Sequence, residues 1–349
     1  MQQQQLDKAL GWEPPANWLR VRTLDAHTGG EPLRIYLDGY GQIPGAAILE
    51  KQAYCRENLD HLRRATVWEP RGHADMYGCI VTEPTTGDGD LGVIFTHNEG
   101  YSSMCGHGII AVTTALLETG ALPAQSPETC LRIDSPAGRI TAYARMEGQR
   151  VASVYFHNVP SYVVELDASV PVPGMGEVRY DLAFGGAYYA FVDAREIGLD
   201  TGPDNAAALI HAGRAIKQAV VDSRVIEHPE DSALGFLYGT IFIDSARSEL
   251  AGSRNVCIFA DGELDRSPTG TGVSARAAIH HARGELKPGD SMVVESIIGS
   301  RFRTAVHSEL TYCGHPAVIP EVEGQAYITG RQEFLVNPDD PFAHGFFIR

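Results

Sequence analysis

Two short glycine motifs, Met104–Gly108 (MCGHG) and Pro268–Gly272 (PTGTG), stand 164 residues apart (104 to 268). Each opens a helix-like run that ends at a glycine, Gly120 and Gly284, again 164 apart (120 to 284). Upstream, Gly29-Gly30 in DAHTGGEP is matched by Gly185-Gly186 in FGGAYYAF at an offset of 156 (29 to 185). Downstream, IDSPAG (133–138) is echoed by VESIIG (294–299) at 161 (133 to 294). Offsets that drift so little imply two copies of one fold of about 150 residues, and a duplicated unit decides the architecture before any element is assigned. The copies are expected to span residues 1–165 and 178–337. Their boundary falls in the proline-bearing, poorly periodic stretch Tyr162–Val178, and the closing segment 338–349 has the first copy as its expected packing partner.

Within each copy, runs such as LRIYL (33–37), LGVIFT (91–96) and VASVYF (151–156) are rich in β-branched and aromatic residues and are broken by Gly, Asp and Pro. These read as strands. Helical periodicity is confined to about 47–65, 106–119, 204–220 and 270–283. The expected class is α+β, each copy a sheet wrapped round one central helix that begins at its glycine motif.

With 349 residues the chain is long enough for two such cores, and 44% hydrophobic with 21% charged residues is the balance of a folded globular protein. A net charge of −16 and the lack of any Lys/Arg-rich run argue against nucleic acid as a partner. No run approaches the ~18 apolar residues of a membrane-spanning helix. The opening MQQQQLDKALGWEPP has no basic region followed by an apolar one, so the cytoplasm is the expected location. Cys55, Cys79, Cys105, Cys130, Cys257 and Cys313 are dispersed without a C-x-x-C pair, which argues against a disulfide framework or a zinc ribbon. The 13 histidines form no H-E-x-x-H, and His73 with Asp75 in GHADMYG reads as a satisfied pair. Lys8, Lys51, Lys217 and Lys287 stand outside any motif, so neither a metal nor a Schiff-base cofactor is expected. Both glycine motifs fit the permissive G-x-G-x-x-G/A pattern, but polar NEGYSSMC and ELDRSPT precede them where a dinucleotide-binding turn needs an apolar strand. Neither is the G-K-[ST] loop that cradles nucleotide phosphates.

A helix that starts in Gly-x-Gly presents unpaired N–H groups and the positive end of its dipole, and glycine lets an anion come close. Cys105 stands one residue before the first such start, with His107 beside it, where the same field favours thiolate and lowers the thiol pKa. An arbitrary free cysteine is more often a small buried apolar residue, and that is the reading for Cys55, Cys79, Cys130 and Cys257. Cys313-Gly314-His315 repeats the letters CGH but runs into Pro316 and the strand-like AVIPEVEG, so Cys313 is also assigned to structure. Cys105 is the exception because it sits at a duplicated helix start.

HNEGYSSMCGHG (97–108), DRSPTGTG (265–272), DAHTGGEP (25–32) and FGGAYYAF (184–191) together give the chain a resemblance to the proline racemase family, from about Val21 to about Val336. The resemblance implies two pseudo-symmetric domains of the diaminopimelate epimerase type. The active site is then between them, where the two helix N-termini face each other, with no cofactor and a small imino acid as substrate; family members are commonly dimeric. In the family's racemases and hydroxyproline epimerases, two cysteines on opposite faces of the substrate exchange the α-proton. Cys105 matches the first. Thr269 occupies the second position, and a hydroxyl is far too weak an acid or base for that role unaided.

Members with cysteine first and threonine second resemble trans-3-hydroxy-L-proline dehydratases, and stereochemistry supplies a reason. In the trans isomer the carboxylate and the 3-hydroxyl lie on opposite ring faces, so the α-hydrogen and the hydroxyl share a face. Syn elimination then needs a base on one face only, whereas racemisation needs a proton donor on each. The expected roles follow. Cys105 is the general base, held ready by His107 and the helix terminus, and Thr269 hydrogen-bonds the substrate or a water. The N–H groups of Gly106, His107, Gly270 and Thr271 bind the substrate carboxylate. Asp265, by resemblance, pairs with the ring ammonium and is a candidate, with His107, to help the hydroxyl leave. Three other readings stay open. The chain could be a hydroxyproline epimerase or proline racemase that uses a water in place of the second cysteine, or a carboxylate-binding protein without chemistry. A Cys-His acyl hydrolase is the third, although no third orienting residue can be named for it.

Overall fold

The computed structural model describes residues 3–348. The first copy begins with α1 (Gln3–Leu10), β1 (Leu19–Thr28) and β2 (Glu31–Asp38), then α2 (Ile48–Tyr54), a π-turn and α3 (Asp60–Val67). It continues with β3 (Gly78–Thr82), β4 (Leu91–Thr96), β5 (Tyr101–Ser102), α4 (Gly106–Glu118), β6 (Glu128–Ser135), β7 (Gly138–Glu147), β8 (Arg150–His157) and β9 (Ser161–Val172). The second copy holds β10 (Gly176–Phe184), β11 (Tyr188–Asp193), α5 (Ala206–Ser223), β12 (Leu237–Asp244), β13 (Ser253–Phe259) and β14 (Glu263–Leu264). It ends with α6 (Gly270–Ala282), β15 (Ser291–Glu295), β16 (Arg301–Tyr312), β17 (His315–Gly324) and β18 (Ala326–Val336).

The strand pairings repeat as faithfully as the glycine motifs. In the first copy β1–β2 is antiparallel, β2–β3 parallel, β3–β4 and β4–β5 antiparallel, β4–β6 parallel, and β6–β7–β8 antiparallel. The second copy has the same senses in the same order from β10–β11 to β16–β17. The sequence echoes fall on equivalent turns. Gly29-Gly30 joins β1 to β2 and Gly185-Gly186 joins β10 to β11, with φ of 92° at Gly30 and 100° at Gly186, where a side chain would be strained. IDSPAG and VESIIG cover the β6–β7 and β15–β16 turns.

The last strand of each copy pairs with the first strand of the other. β18 lies antiparallel to β1 from Leu19↔Val336 to Thr28↔Ala326, and β9 lies antiparallel to β10. Round α6 the ring β9–β10–β11–β12–β13–β15–β16–β17 closes through Ala317↔Tyr162 and Val318↔Ser161. Round α4 the run β18–β1–β2–β3–β4–β6–β7–β8 makes a matching wrap, and β8–β17 joins the two. The stretch Tyr162–Val178, read as a boundary, is thus most of β9, a turn and the start of β10. Residues 338–348 lie against the first copy, where Arg71 bonds Asp340 and Glu69 bridges Phe346.

α4 and α6 are the central helices, with Gly106–Leu117 and Gly270–Ile279 buried without interruption. α4 is apolar round most of its surface and so must be enclosed, whereas α6 buries Ser274 and Arg276 only with partners, Asn158 and the Gly270 carbonyl for the first, Ser253 and Asn255 for the second. The amphipathic α5 packs outside, on β12 and β13. Of the helical expectations, 47–65 is met by α2, the π-turn at Cys55–Leu59 and α3, and the other three by α4, α5 and α6; α1 was not foreseen. No helix is long and apolar enough to cross a membrane among the described residues. Two cysteine readings are corrected. Cys130 and Cys313 are exposed, the first on the outer face of β6, the second in the β16–β17 turn at φ 48°. Cys55, Cys79 and Cys257 are buried as expected.

Candidate active site

The N-termini of α4 and α6 meet backbone to backbone. A Cβ added to Gly106 would stand 2.5 Å from the Gly270 Cα, and one on Gly270 would stand 2.5 Å from the Gly106 Cα. Only glycine permits that approach, and it puts the pseudo-twofold relation of the copies between these two residues. Cys105 and Thr269, one step upstream, are therefore equivalent positions on opposite sides of it. Between them is a cavity of about 20 Å³, and all seven residues singled out from the sequence (Cys105, Gly106, His107, Asp265, Thr269, Gly270 and Thr271) line it. The residues that line it are all buried.

Cys105 is the N-cap of α4, its Sγ accepting from the Gly108 N–H at 3.2 Å. The sulfur also lies 3.1 Å from His107 Nδ1. Burial pushes the Cys105 thiol well above its ordinary pKa, with the Gly108 N–H opposing and Asp265 adding to the rise. The expectation that the helix terminus lowers this pKa is thus corrected, because desolvation outweighs the dipole. Burial also pulls His107 down to about 3, against a hydrogen bond to the Pro32 carbonyl. The pair is a neutral thiol beside a neutral imidazole.

Thr269 caps α6 differently. It holds φ 69° and ψ 99°, and its hydroxyl makes no capping bond but donates to Asp265 Oδ2 at 2.8 Å. The other Asp265 oxygen accepts from the Ser267 N–H at 2.7 Å. Burial raises the Asp265 pKa to about 6 against those two bonds. At neutral pH it is a carboxylate aimed into an enclosed site. The first two N–H groups of each helix, at Gly106, His107, Gly270 and Thr271, have no acceptor among the described residues. Two helix ends with four free donors form a site for one anion.

Sequence reasoning missed the walls. Tyr77, Met104, Tyr189, Tyr238 and Phe259 line the cavity, and Tyr189 bonds the Thr271 hydroxyl at 2.7 Å. Tyr189 lies inside FGGAYYAF and was within reach of that motif; Tyr77 has no such signal. Polar links tie the copies together beside the cavity. Glu31 accepts from the Arg266 N–H at 2.7 Å, Asp75 from the Arg266 guanidinium at 2.8 Å, and Glu263 from the Asn98 N–H at 2.5 Å. His73 Nδ1 accepts from the Asp75 backbone N–H at 3.2 Å, while the Asp75 carboxylate serves Arg266 and the Leu264 N–H. No metal motif is legible in the sequence, yet the fold brings donors of His157, His307 and Glu321 within 4.8 Å of one another. Their imidazoles are stacked, so the lone pairs run side by side, and Arg303 already pairs with Glu321 at 3.0 Å.

A family profile described as proline racemase matches residues 23–347. A curated trans-3-hydroxy-L-proline dehydratase of Colwellia psychrerythraea is 46% identical, over 97% of this chain and 96% of its own. A 3-hydroxyproline 2-epimerase of Burkholderia multivorans is 44% identical, over 94% of this chain and 98% of its own. Among solved structures, a hydroxyproline epimerase of Agrobacterium vitis with bound trans-4-hydroxy-L-proline superimposes with a TM-score of 0.90 at 34% identity, covering 95% of this chain and 96% of that one.

Proposed function

The chain belongs to the proline racemase family, and from that footing we propose that it is a cofactor-independent dehydratase converting trans-3-hydroxy-L-proline to Δ1-pyrroline-2-carboxylate and water. One observation carries this reading. At two equivalent helix ends facing one cavity there is one thiol, Cys105, and one hydroxyl, Thr269, and the hydroxyl is already committed to Asp265. Such a site has a proton-transfer group on one face only, which suits syn elimination and starves racemisation.

The substrate carboxylate takes the four N–H groups of Gly106, His107, Gly270 and Thr271, where the developing enediolate-like charge is also stabilised. The ring ammonium pairs with Asp265. That ammonium brings positive charge beside Cys105, so ionisation of the buried thiol is coupled to binding. The thiolate removes the α-proton, the C2–H electrons form C2=C3, and the C3–O bond breaks with the hydroxyl leaving as water. The enamine then takes a proton at C3 and loses one from nitrogen to become the imine.

Epimerisation is the second reading, favoured by the names of the Burkholderia and Agrobacterium proteins. Proton NMR in deuterium oxide separates the two, with trans-3-hydroxy-L-proline, trans-4-hydroxy-L-proline and L-proline each given to wild type and to Cys105→Ser. Loss of the 3-hydroxy compound to the pyrroline carboxylate, abolished in the serine variant, is the expected result. Deuterium at Cα of the 4-hydroxy compound with inversion, and an untouched 3-hydroxy compound, would sink the dehydratase reading.

A further inference from the structure

The elimination leaves one role unfilled, the acid that protonates the departing hydroxyl. It must stand on the Cys105 side, because the α-hydrogen and the hydroxyl share a face. Asp265 and Thr269 belong to the other side and are bonded to each other. His107 is on the correct side, but a neutral imidazole carries one N–H, and the Pro32 carbonyl is a partner for it. Its other nitrogen, Nδ1, lies 3.1 Å from the sulfur. Both nitrogens of His107 are thus turned to other partners, the thiol and a main-chain carbonyl.

Tyr77 remains. It is 2% exposed, lines the cavity, and sits edge-on to the His107 ring with centroids 4.9 Å apart. Its hydroxyl lies 2.5 Å from Ser102 Oγ and 3.2 Å from the Tyr238 hydroxyl, and the side chain lines the same cavity as Cys105. A phenol so placed lines the cavity beside the base and against the histidine that partners it.

We propose that the Tyr77 hydroxyl is the acid for the departing 3-hydroxyl, and that Cys105 then returns the abstracted proton to Tyr77. The inference rests on the dehydratase reading. The proton count closes without an outside donor. Cys105 thiolate gains the α-proton, the Tyr77 O–H bond breaks to give its proton to the leaving oxygen, and water departs. The new S–H proton then passes across the shared cavity to the phenolate. Thiolate and phenol are regenerated together, so one face performs the whole cycle.

The test is Tyr77→Phe, which keeps the ring and removes only the hydroxyl, beside Tyr238→Phe and wild type. Dehydration of trans-3-hydroxy-L-proline is followed at the same time as α-proton exchange of that substrate and of L-proline in deuterium oxide. The expected result is a fall in dehydration kcat of roughly 10²- to 10⁴-fold in Tyr77→Phe, with α-exchange within about tenfold of wild type and Tyr238→Phe much less affected. Retained exchange also shows that the variant is folded. Dehydration in Tyr77→Phe within about fivefold of wild type would overturn the proposal. So would a parallel fall in exchange and dehydration, since Tyr77 would then act only by positioning Cys105. A wild type that exchanges or inverts Cα without dehydration fails the dehydratase reading itself, a result distinct from either.

Discussion

Thr269 holds a positive φ that β-branched side chains rarely adopt, and such outliers persist where the surroundings over-determine them. Its surroundings are Asp265 and the glycine that follows. Restoring a thiol there, Thr269→Cys, should free the enzyme from one-sided chemistry. The expected gain is measurable inversion of L-proline or trans-4-hydroxy-L-proline by chiral chromatography, with dehydration reduced. Asp265 is also costly to the unliganded protein. Its folded pKa of about 6 lies above the unfolded ~3.9, so the stability it confers is complete below pH ~4 and is lost as pH rises through 6. Asp265→Asn should therefore raise the unfolding free energy at pH 8 by on the order of 3 kcal/mol, with no difference near pH 4. Calorimetry across that range checks the sign. The same variant should lose most of its kcat/KM. For wild type, kcat/KM should climb through pH 6 as Asp265 ionises and keep climbing into alkaline solution, because the buried Cys105 thiol must lose its proton. Cys105 and Thr269 were legible as letters because their chemistry is intrinsic and their motif is repeated. Tyr77 was not, since a lone tyrosine in ADMYGC acquires its role only from Ser102, Cys105 and Tyr238, which the fold brings to it.

At the scale of elements, the contact between the two helix ends is the most exacting feature. Gly106→Ala or Gly270→Ala drives a methyl into backbone that cannot yield, and overpacking of this kind costs about 1–3 kcal/mol. Both variants should melt earlier and lose activity. Gly120→Ala is the control. Gly120 closes α4 at φ 71° with open space round it, so strain of roughly 1 kcal/mol should appear in the melting temperature and leave kcat/KM unchanged. The central helices were readable because apolar periodicity and glycine punctuation coincide. β9 was not legible as a strand for an opposite reason. Residues 163–169 are mostly exposed or half-buried, so the strand shows little apolar alternation. What holds it is hydrogen bonding to β10 and to Ala317–Val318, partners from the second copy that no local pattern announces.

For the molecule as a whole, a small site with a wholly buried lining predicts that the copies part during turnover. Iodoacetamide reports this through the cysteines. Cys130 and Cys313 should be alkylated at once, Cys55, Cys79 and Cys257 hardly at all, and Cys105 at a rate that levels off with reagent as opening becomes limiting. Substrate or product should protect Cys105, as peptide mass spectrometry would show. The duplication predicted the common topology but not the exchange of last strands. That exchange makes each copy incomplete alone. A chain cut in the turn between β9 and β10 would leave two fragments, each with one strand to spare and one place to fill, and each matching the other's lack. A single copy could satisfy itself only by trading its last strand with a twin. The present chain has, in that sense, the topology of a strand-swapped pair written as one polypeptide, with its candidate site where the two copies meet.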